Sequence, residues 1–110
     1  MRIELFRDHF LPGTEDALWL PEVGRRNWSV LSRDRGIQRN ELEREAVVRA
    51  SVRKFTLRSK KNLRGMAIAE AFVEALPAMK RLIATEPPPF FARVYRGGKV
   101  QLIEKPSGPE

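Results

Sequence analysis

Apolar strand patterns and amphipathic helix patterns alternate along this chain, and the alternation restricts its fold more than any other feature. The strand patterns cover residues 2–6, 28–32 and 52–57, and the helix patterns cover 14–27, 40–50 and 66–83. Strands joined by helices are typical of parallel sheets, because a parallel pair needs a long crossover connection. We therefore predict an α/β domain with a parallel sheet whose functional side chains lie at the carboxyl ends of the strands.

Turn-forming residues set where these elements end. We expect Pro21 to kink or restart the first helix, and Pro77 to split or bend the longest helix. The segments FFARVY and KVQLI flank Gly97 and Gly98, which favour a C-terminal β-hairpin with a two-residue turn. The prediction is a single domain over residues 1–104, followed by a frayed tail at 105–110.

Composition excludes several classes of protein. The 110 residues contain no cysteine and a single histidine, His9. A disulfide framework, a thiolate zinc site and a cysteine nucleophile are therefore excluded, and one histidine argues against serine–histidine triads. No apolar run approaches the roughly 20 residues of a membrane span, and the opening MRIELFRDHF lacks the layout of a signal peptide. The expected location is cytoplasmic, with no membrane partner.

Basic residues give the chain a formal charge of +7, and they are concentrated in two clusters. The first cluster contains Arg25, Arg26, Arg33, Arg35 and Arg39, and the second contains Arg49, Arg53, Lys54, Arg58, Lys60, Lys61 and Arg64. Arginine binds phosphate through two parallel hydrogen bonds. The clusters indicate either a surface that binds nucleic acid or the solvated face of a basic protein.

Two aspartates, Asp16 and Asp34, are candidate ligands for a metal. Asp34 directly follows a predicted strand, and Asp16 lies in the first turn of the preceding helix. Singly, each has a structural explanation, since an acid stabilises a helix N-terminus and aspartate favours turns. Together, two carboxylates at one edge of a sheet could share Mg²⁺, which prefers oxygen ligands, while arginines beside Asp34 hold phosphate.

Residues 11–40 resemble the middle of PIN-like domains of the VapC-type toxin class. The shared features are a Pro-Gly turn, an aspartate followed by a Trp-Leu pair, and an apolar strand that ends in Ser32-Arg33-Asp34. Asp16 matches the helix acid of that pattern, and Asp34 matches the acid at the strand end, 18 positions later. The later strand, helix and hairpin are similar to the same family, so the resemblance extends over residues 1–104.

This resemblance implies a PIN-like parallel-sheet sandwich and a metal-dependent endoribonuclease, often a toxin that a partner antitoxin protein neutralises. It implies that Asp16 and Asp34 are catalytic carboxylates holding Mg²⁺ or Mn²⁺, and that an activated water cleaves the RNA substrate. The residues assigned to RNA binding are Arg33, Arg35, Arg39, Lys60, Lys61 and Arg64. Asn62 stands near a fourth position of the family's site, although a role as a helix cap explains it better.

The sequence departs from the family pattern at its start. The pattern begins with a strand ending in an aspartate and then a helix, and both would precede residues 2–6. We expect the family's first, central strand and its acidic ligand to be missing. Residues 2–6 would then pair directly with 28–32, or another chain would complete the sheet in a homodimer or heteromer.

Two other functions stay open. A degenerate PIN-like module would bind RNA or a partner protein through the same basic surface without catalysis, and the missing acid motivates this alternative. A DNA-binding helix-turn-helix is disfavoured, because Glu41, Glu43 and Glu45 on the predicted helix at 40–50 would repel DNA.

Overall fold

The computed structural model describes residues 16–33, 41–58 and 65–106, and helices and strands alternate within them as predicted. The elements are α1 (Asp16–Arg25), β1 (Ser29–Arg33), α2 (Glu41–Ala50), β2 (Arg53–Arg58), α3 (Gly65–Thr85), β3 (Phe90–Tyr95) and β4 (Val100–Glu104). The predicted strand at 2–6 lies outside the described residues. The other predicted strands and helices are confirmed, with bounds that shift by one or two residues.

The four strands form one sheet in the order β1-β2-β3-β4. β1 pairs with β2, and β2 with β3, in parallel, whereas β3 pairs with β4 antiparallel. The α/β fold and the C-terminal hairpin are therefore confirmed, and the sheet is mixed rather than wholly parallel. Because residues 1–15 are not described, the missing central strand and the pairing of residues 2–6 stay predictions.

Helices α1 and α2 end in the same way. Asn27 and Ser51, which follow them, each adopt the left-handed conformation with a φ of 57°. After Asn27 the Trp28 amide donates to the Val23 carbonyl at 3.0 Å. After Ser51 the Val52 amide donates to the Val47 carbonyl at 3.1 Å. This cap satisfies carbonyls at the helix end and turns the chain directly into a strand. Both helices consequently end at the amino edge of the sheet, where β1 and β2 begin.

The long helix α3 runs unbroken for 21 residues through Pro77, and α1 likewise runs through Pro21. The predictions that Pro21 restarts a helix and that Pro77 splits one are wrong, whereas a kink at Pro21 and a bend at Pro77 stay predictions. Pro77 cannot donate to the Val73 carbonyl, which costs about 3 kcal/mol in a helix interior. Val73 is exposed, so water reaches this turn, and the burial of Phe72 and Met79 offsets the cost.

No helix of the described ranges is long and apolar enough to cross a membrane.

The hairpin turn is longer than the predicted two residues. Residues 96–99 connect β3 and β4, and the Tyr95 amide donates to the Lys99 carbonyl at 2.9 Å. Gly97 and Gly98 have φ values of 97° and 91°, which favour glycine. The turn packs on α3, because the Gly97 amide donates to Glu74 Oε2 at 3.1 Å and a Cβ at Gly98 would lie 3.1 Å from the Glu74 carbonyl oxygen.

Two apolar clusters lie on opposite faces of the sheet. The cluster under α3 contains Phe55, Leu57, Ala71, Phe72, Ala75, Met79, Phe90, Ala92 and Val94. The cluster under α1 and α2 contains Leu20, Val23, Val47, Val52 and Phe91. Successive side chains of a strand point to opposite faces, so β2 directs Phe55 and Leu57 to α3 and directs Thr56 to the other face.

Candidate functional site

The predicted site residues follow the carboxyl ends of the parallel strands. β1 ends at Arg33, immediately before Asp34, and β2 ends at Arg58, shortly before Lys60. Seven of the predicted site residues lie outside the described ranges, namely Asp34, Arg35, Arg39, Lys60, Lys61, Asn62 and Arg64. Their roles stay predictions, but the strands that lead to them end side by side.

Asp16 and Arg33 are the two predicted site residues whose backbone the structure describes. Asp16 is the first residue of α1 and so lies in the first turn, as predicted, and Arg33 is the last residue of β1. A short turn joins α1 to β1, and Leu20 and Val23 pack α1 into the cluster that includes Val30 of β1, so α1 runs antiparallel to the strand. A ten-residue helix rises about 15 Å, close to the length of a five-residue strand. The backbone of Asp16 is thus carried toward the edge at which Asp34 follows β1.

A metal centre is not assembled within the described part of the chain. Among residues 16–33, 41–58 and 65–106, no three His, Asp or Glu side chains are grouped so that they could hold a metal ion. The predicted ligands are Asp16, at the start of α1, and Asp34, outside the described ranges. Metal binding at the carboxyl edge therefore remains a prediction.

Next to this edge, the sheet face opposite α3 carries a row of polar side chains. The register places Ser32 beside Thr56, and Arg93 between Thr56 and Gln101. We name this group the polar strip, and it consists of Ser32, Thr56, Arg58, Arg93, Tyr95 and Gln101. The cluster of α1 and α2 includes Val30 and Phe91, one step nearer the amino edge. The polar strip begins where that apolar cover ends.

Hydrogen bonds order the polar strip and leave it accessible. Ser32 Oγ and Thr56 Oγ1 lie 3.2 Å apart, and the Tyr95 hydroxyl donates to Gln101 Oε1 at 3.0 Å. The Lys99 ammonium lies 5.6 Å from the centre of the Tyr95 ring, which adds a cation at the end of the row. Gln101 is exposed and the other residues named here are half-buried or exposed, so a ligand can reach them.

The charge of the polar strip is positive. Arg58 and Arg93 are its ionised members, and within the described part of the chain neither forms an ion pair. The nearest described acid along β4 is Glu104, whose Oε1 accepts from Arg44 Nε of α2 at 2.7 Å. That pair neutralises Glu104 and ties α2 to the edge strand. Anions are therefore attracted to the strip.

Arg53, a member of the second basic cluster, is not on an accessible surface. The residue is 8% exposed, and its Nη1 donates to Asn27 Oδ1 at 2.8 Å. Its Nε is buried without a hydrogen-bond partner, and burial lowers the pKa of this guanidinium. Arg53 lies at the first position of β2. Both interpretations of the cluster, a nucleic-acid-binding surface and a solvated face, need accessible side chains, so neither holds at Arg53.

The described members of the first basic cluster, Arg25, Arg26 and Arg33, divide between the two edges of the sheet. Arg25 and Arg26 lie at the amino edge, and both bind the Glu22 carboxylate, with Arg26 Nε at 2.7 Å from Oε1. Hydrogen bonds from Arg26 and then Arg25 hold the pKa of Glu22 below its usual value. The Arg26 guanidinium also lies 4.8 Å from the centre of the Trp28 ring. These arginines are occupied by local partners, away from the edge that leads to Asp34.

Sequence reasoning did not single out Arg93 and Tyr95. They belong to the hairpin segment FFARVY, in which Phe90, Ala92 and Val94 are buried. The signal was the alternation itself, because polar residues between buried ones lie together on the opposite face. What the sequence does not contain is the register that places Arg93 beside Thr56.

Comparison with known proteins addresses the family. The model of a family described as a PIN like domain matches residues 1–59. The matched range includes α1, β1, α2 and β2 and both candidate aspartates. Curated proteins and solved structures gave no significant match. Since the match covers more than half of its 110 residues, the chain belongs to the PIN-like domain family, a nuclease-like family.

Proposed function

We propose that the chain is a metal-dependent endoribonuclease that cleaves RNA at the carboxyl edge of its sheet. One observation carries the proposal: in a PIN-like domain, β1 leads directly into Asp34 at the edge where two parallel strands end together. Ligands of open α/β sheets bind outside the carboxyl ends of the strands. The direction of α1, which starts at Asp16, supports a second carboxylate near the same edge.

The chain's own residues would share three tasks. Asp16 and Asp34 hold the divalent cation, since Mg²⁺ and Mn²⁺ prefer carboxylate oxygens. Arg33, Arg35 and Arg39 on one side, and Lys60, Lys61 and Arg64 on the other, position the phosphodiester. When bound, the cation supplies an activated water and stabilises charge on the phosphate.

The direct test is cleavage of a fluorescently labelled single-stranded RNA by the pure protein. We expect cleavage with Mg²⁺, no cleavage with excess EDTA, and loss of both cleavage and Mg²⁺ binding in Asp34→Asn without unfolding. Glu45→Gln is the matched control, because it removes an exposed carboxylate on α2. Unchanged Mg²⁺ affinity in Asp34→Asn would show that the assigned ligand is wrong.

The same experiment separates the second candidate function. A non-catalytic PIN-like module would bind the RNA in EDTA, with affinity that falls as salt rises, and would never cleave it. Cleavage that depends on Mg²⁺ and on Asp34 contradicts this alternative.

We further propose that the enzyme acts as a toxin that an antitoxin protein neutralises. The resemblance of residues 11–40 to VapC-type toxins supports this role. Induced expression of the chain in bacterial cells should arrest growth, and Asp34→Asn should relieve the arrest at equal protein level. Growth at the normal rate under expression of the active nuclease would contradict the toxin role.

A further inference from the structure

We propose that the polar strip binds the sugar–phosphate backbone of single-stranded RNA and extends the cleavage site onto the sheet face opposite α3. The inference rests on the proposed function for the choice of RNA as the ligand. Its own basis is the described face of the sheet: an accessible row of cations and hydrogen-bonding groups that leads to the edge at which β1 and β2 end.

The strip is accessible because α1 and α2 cover only the amino half of this face. Their cluster ends at Val30 of β1 and Phe91 of β3. Two residues further along the same strands, the positions facing the same way are Ser32 and Arg93. Arg58, one further step along β2, is exposed. Among the described residues, the side chains on this half of the face are polar or charged, and the Tyr95 ring is half-buried at the end of the row.

The charges select an anionic ligand. Arg58 and Arg93 lie on adjacent strands, and neither forms an ion pair within the described ranges. The Lys99 ammonium over Tyr95 extends the positive charge toward the hairpin turn. The six residues of the polar strip include no acid. Cations spaced across neighbouring strands suit a chain of phosphates, because each guanidinium can bind one phosphodiester through two hydrogen bonds.

The neutral groups between the cations favour RNA in single-stranded form. Three gaps of about 4.8 Å separate the four β-strands, so the polar strip is about 14 Å across. This width suits one extended strand of RNA. The Ser32 and Thr56 hydroxyls and the Gln101 amide can exchange hydrogen bonds with ribose 2′-hydroxyls, which DNA lacks. Tyr95 adds a half-buried ring at the end of the row, a type of side chain that single-strand binders use.

Binding of a labelled oligouridylate by the full chain, measured by fluorescence anisotropy in EDTA over a range of KCl, tests the strip without cleavage. Arg58→Gln and Arg93→Gln should each weaken binding about fivefold, and the double variant more than tenfold. Each should also lower the slope of log affinity against log salt by about 0.7, the value for one phosphate contact on a single strand. Arg93→Lys keeps the charge but not the paired hydrogen bonds, so it should restore the salt slope and only part of the affinity.

Arg81→Gln is the matched control, because Arg81 is exposed on α3 on the opposite side of the sheet. It removes the same charge and should leave affinity within about twofold of the unmodified protein. Circular dichroism and thermal unfolding of each variant test whether it is folded. Arg58 is exposed at the end of β2. Arg58→Gln should therefore retain the fold even if Arg93→Gln lowers the stability of the protein.

The outcomes are separable from those of the proposed function. If the double variant binds the oligouridylate as tightly as the unmodified chain, the strip is not the RNA surface, whatever the cleavage assay gives. If strip variants bind weakly while the unmodified chain never cleaves RNA with Mg²⁺, the strip stands and the ribonuclease proposal fails. Equal affinity for the matching single-stranded DNA would overturn the assignment to RNA.

Discussion

The two faces of the sheet are built from the same strands and serve different purposes. On the α3 face, apolar side chains continue from one edge of the sheet to the other, and they include Leu57 and Val94 near the carboxyl edge. On the opposite face the apolar cover stops at Val30 and Phe91, and polar residues continue to the edge. The difference teaches that the α3 face is apolar along its whole length, whereas the opposite face is apolar only in its amino half and leaves the carboxyl half accessible.

Burial cost explains why α1 and α2 do not cover the whole second face. A helix packed over Arg93 would have to desolvate a guanidinium, and each buried polar group without a partner costs on the order of 1–3 kcal/mol or more. Arg53 shows that cost inside the fold, since its Nε is buried without a partner. The polar strip avoids it by remaining at the surface.

The largest change in the free energy of unfolding is expected from substitutions in β2, whose residues face both sides of the sheet. Phe55 is fully buried under α3 and its ring meets Phe90 edge to face at 5.5 Å. Phe55→Ala should lower the free energy of unfolding by about 3–5 kcal/mol, because it leaves a cavity. Thr56→Ala, on the opposite face, should lower it by about 1 kcal/mol or less. Urea denaturation measures both, and equal losses would contradict the division of roles between the faces.

Gly24→Ala tests how firmly α1 and α2 are held together on the second face. A Cβ at Gly24 would lie 2.0 Å from the Ala50 carbonyl oxygen, so the two helices would have to separate. We expect a loss of about 1–3 kcal/mol in urea denaturation. Gly65→Ala is the control, since a Cβ there meets nothing within 4 Å at the start of α3. Similar changes in the two variants would mean that close packing of α1 on α2 is not required.

Ser51→Gly should raise the stability of the protein, whereas Gly24→Ala should lower it. Ser51 adopts a φ of 57° after α2, a conformation that costs a residue with a Cβ roughly 1 kcal/mol relative to glycine. The variant should raise the midpoint of thermal unfolding by a few degrees. Asn27→Gly at the equivalent position after α1 should gain less, because it also removes the hydrogen bond to Arg53. A larger gain at Asn27 would show that this bond does not contribute.

Glu22 gives the smallest expected effect, because it acts at the surface. Hydrogen bonds from Arg26 and Arg25 lower the pKa of this carboxyl in the folded protein. Its contribution to stability is therefore present above the usual pKa of a glutamate and is lost as pH falls through the lowered value. Glu22→Gln should reduce the thermal midpoint slightly at neutral pH and leave it unchanged at about pH 2. A deficit that persists in acid would indicate a cause other than ionisation.

Local patterns were enough to predict most of the fold. The strand at 28–32, the helix at 40–50 and the hairpin at 90–103 were recognisable because periodicity and turn residues agreed with the structure. The restart at Pro21 and the split at Pro77 were wrong, because packing of the helix against the sheet outweighs a local preference. Local sequence contains no measure of that packing energy.

The candidate site was less accessible to sequence reasoning. The resemblance around Asp16 and Asp34 led to the PIN-like family, and the family match confirms it. The polar strip was missed because its members come from four strands, with Ser32 and Gln101 far apart in sequence. Two members of the basic clusters do not present a free cation, since Arg53 is buried and Arg26 is paired with Glu22. Pairing register, and not proximity in sequence, determines which cations share a surface.

The most direct test of the account is to map where RNA binds on the folded chain. Backbone amide chemical shifts, recorded by NMR with and without an oligouridylate in EDTA, should change at Ser32, Thr56 and Arg93 on the face opposite α3. The exposed positions of α3, Met66 and Val73, should not respond. Shifts confined to α3, or a spectrum that RNA leaves unchanged, would contradict the claim that the half-covered face is the RNA-binding surface.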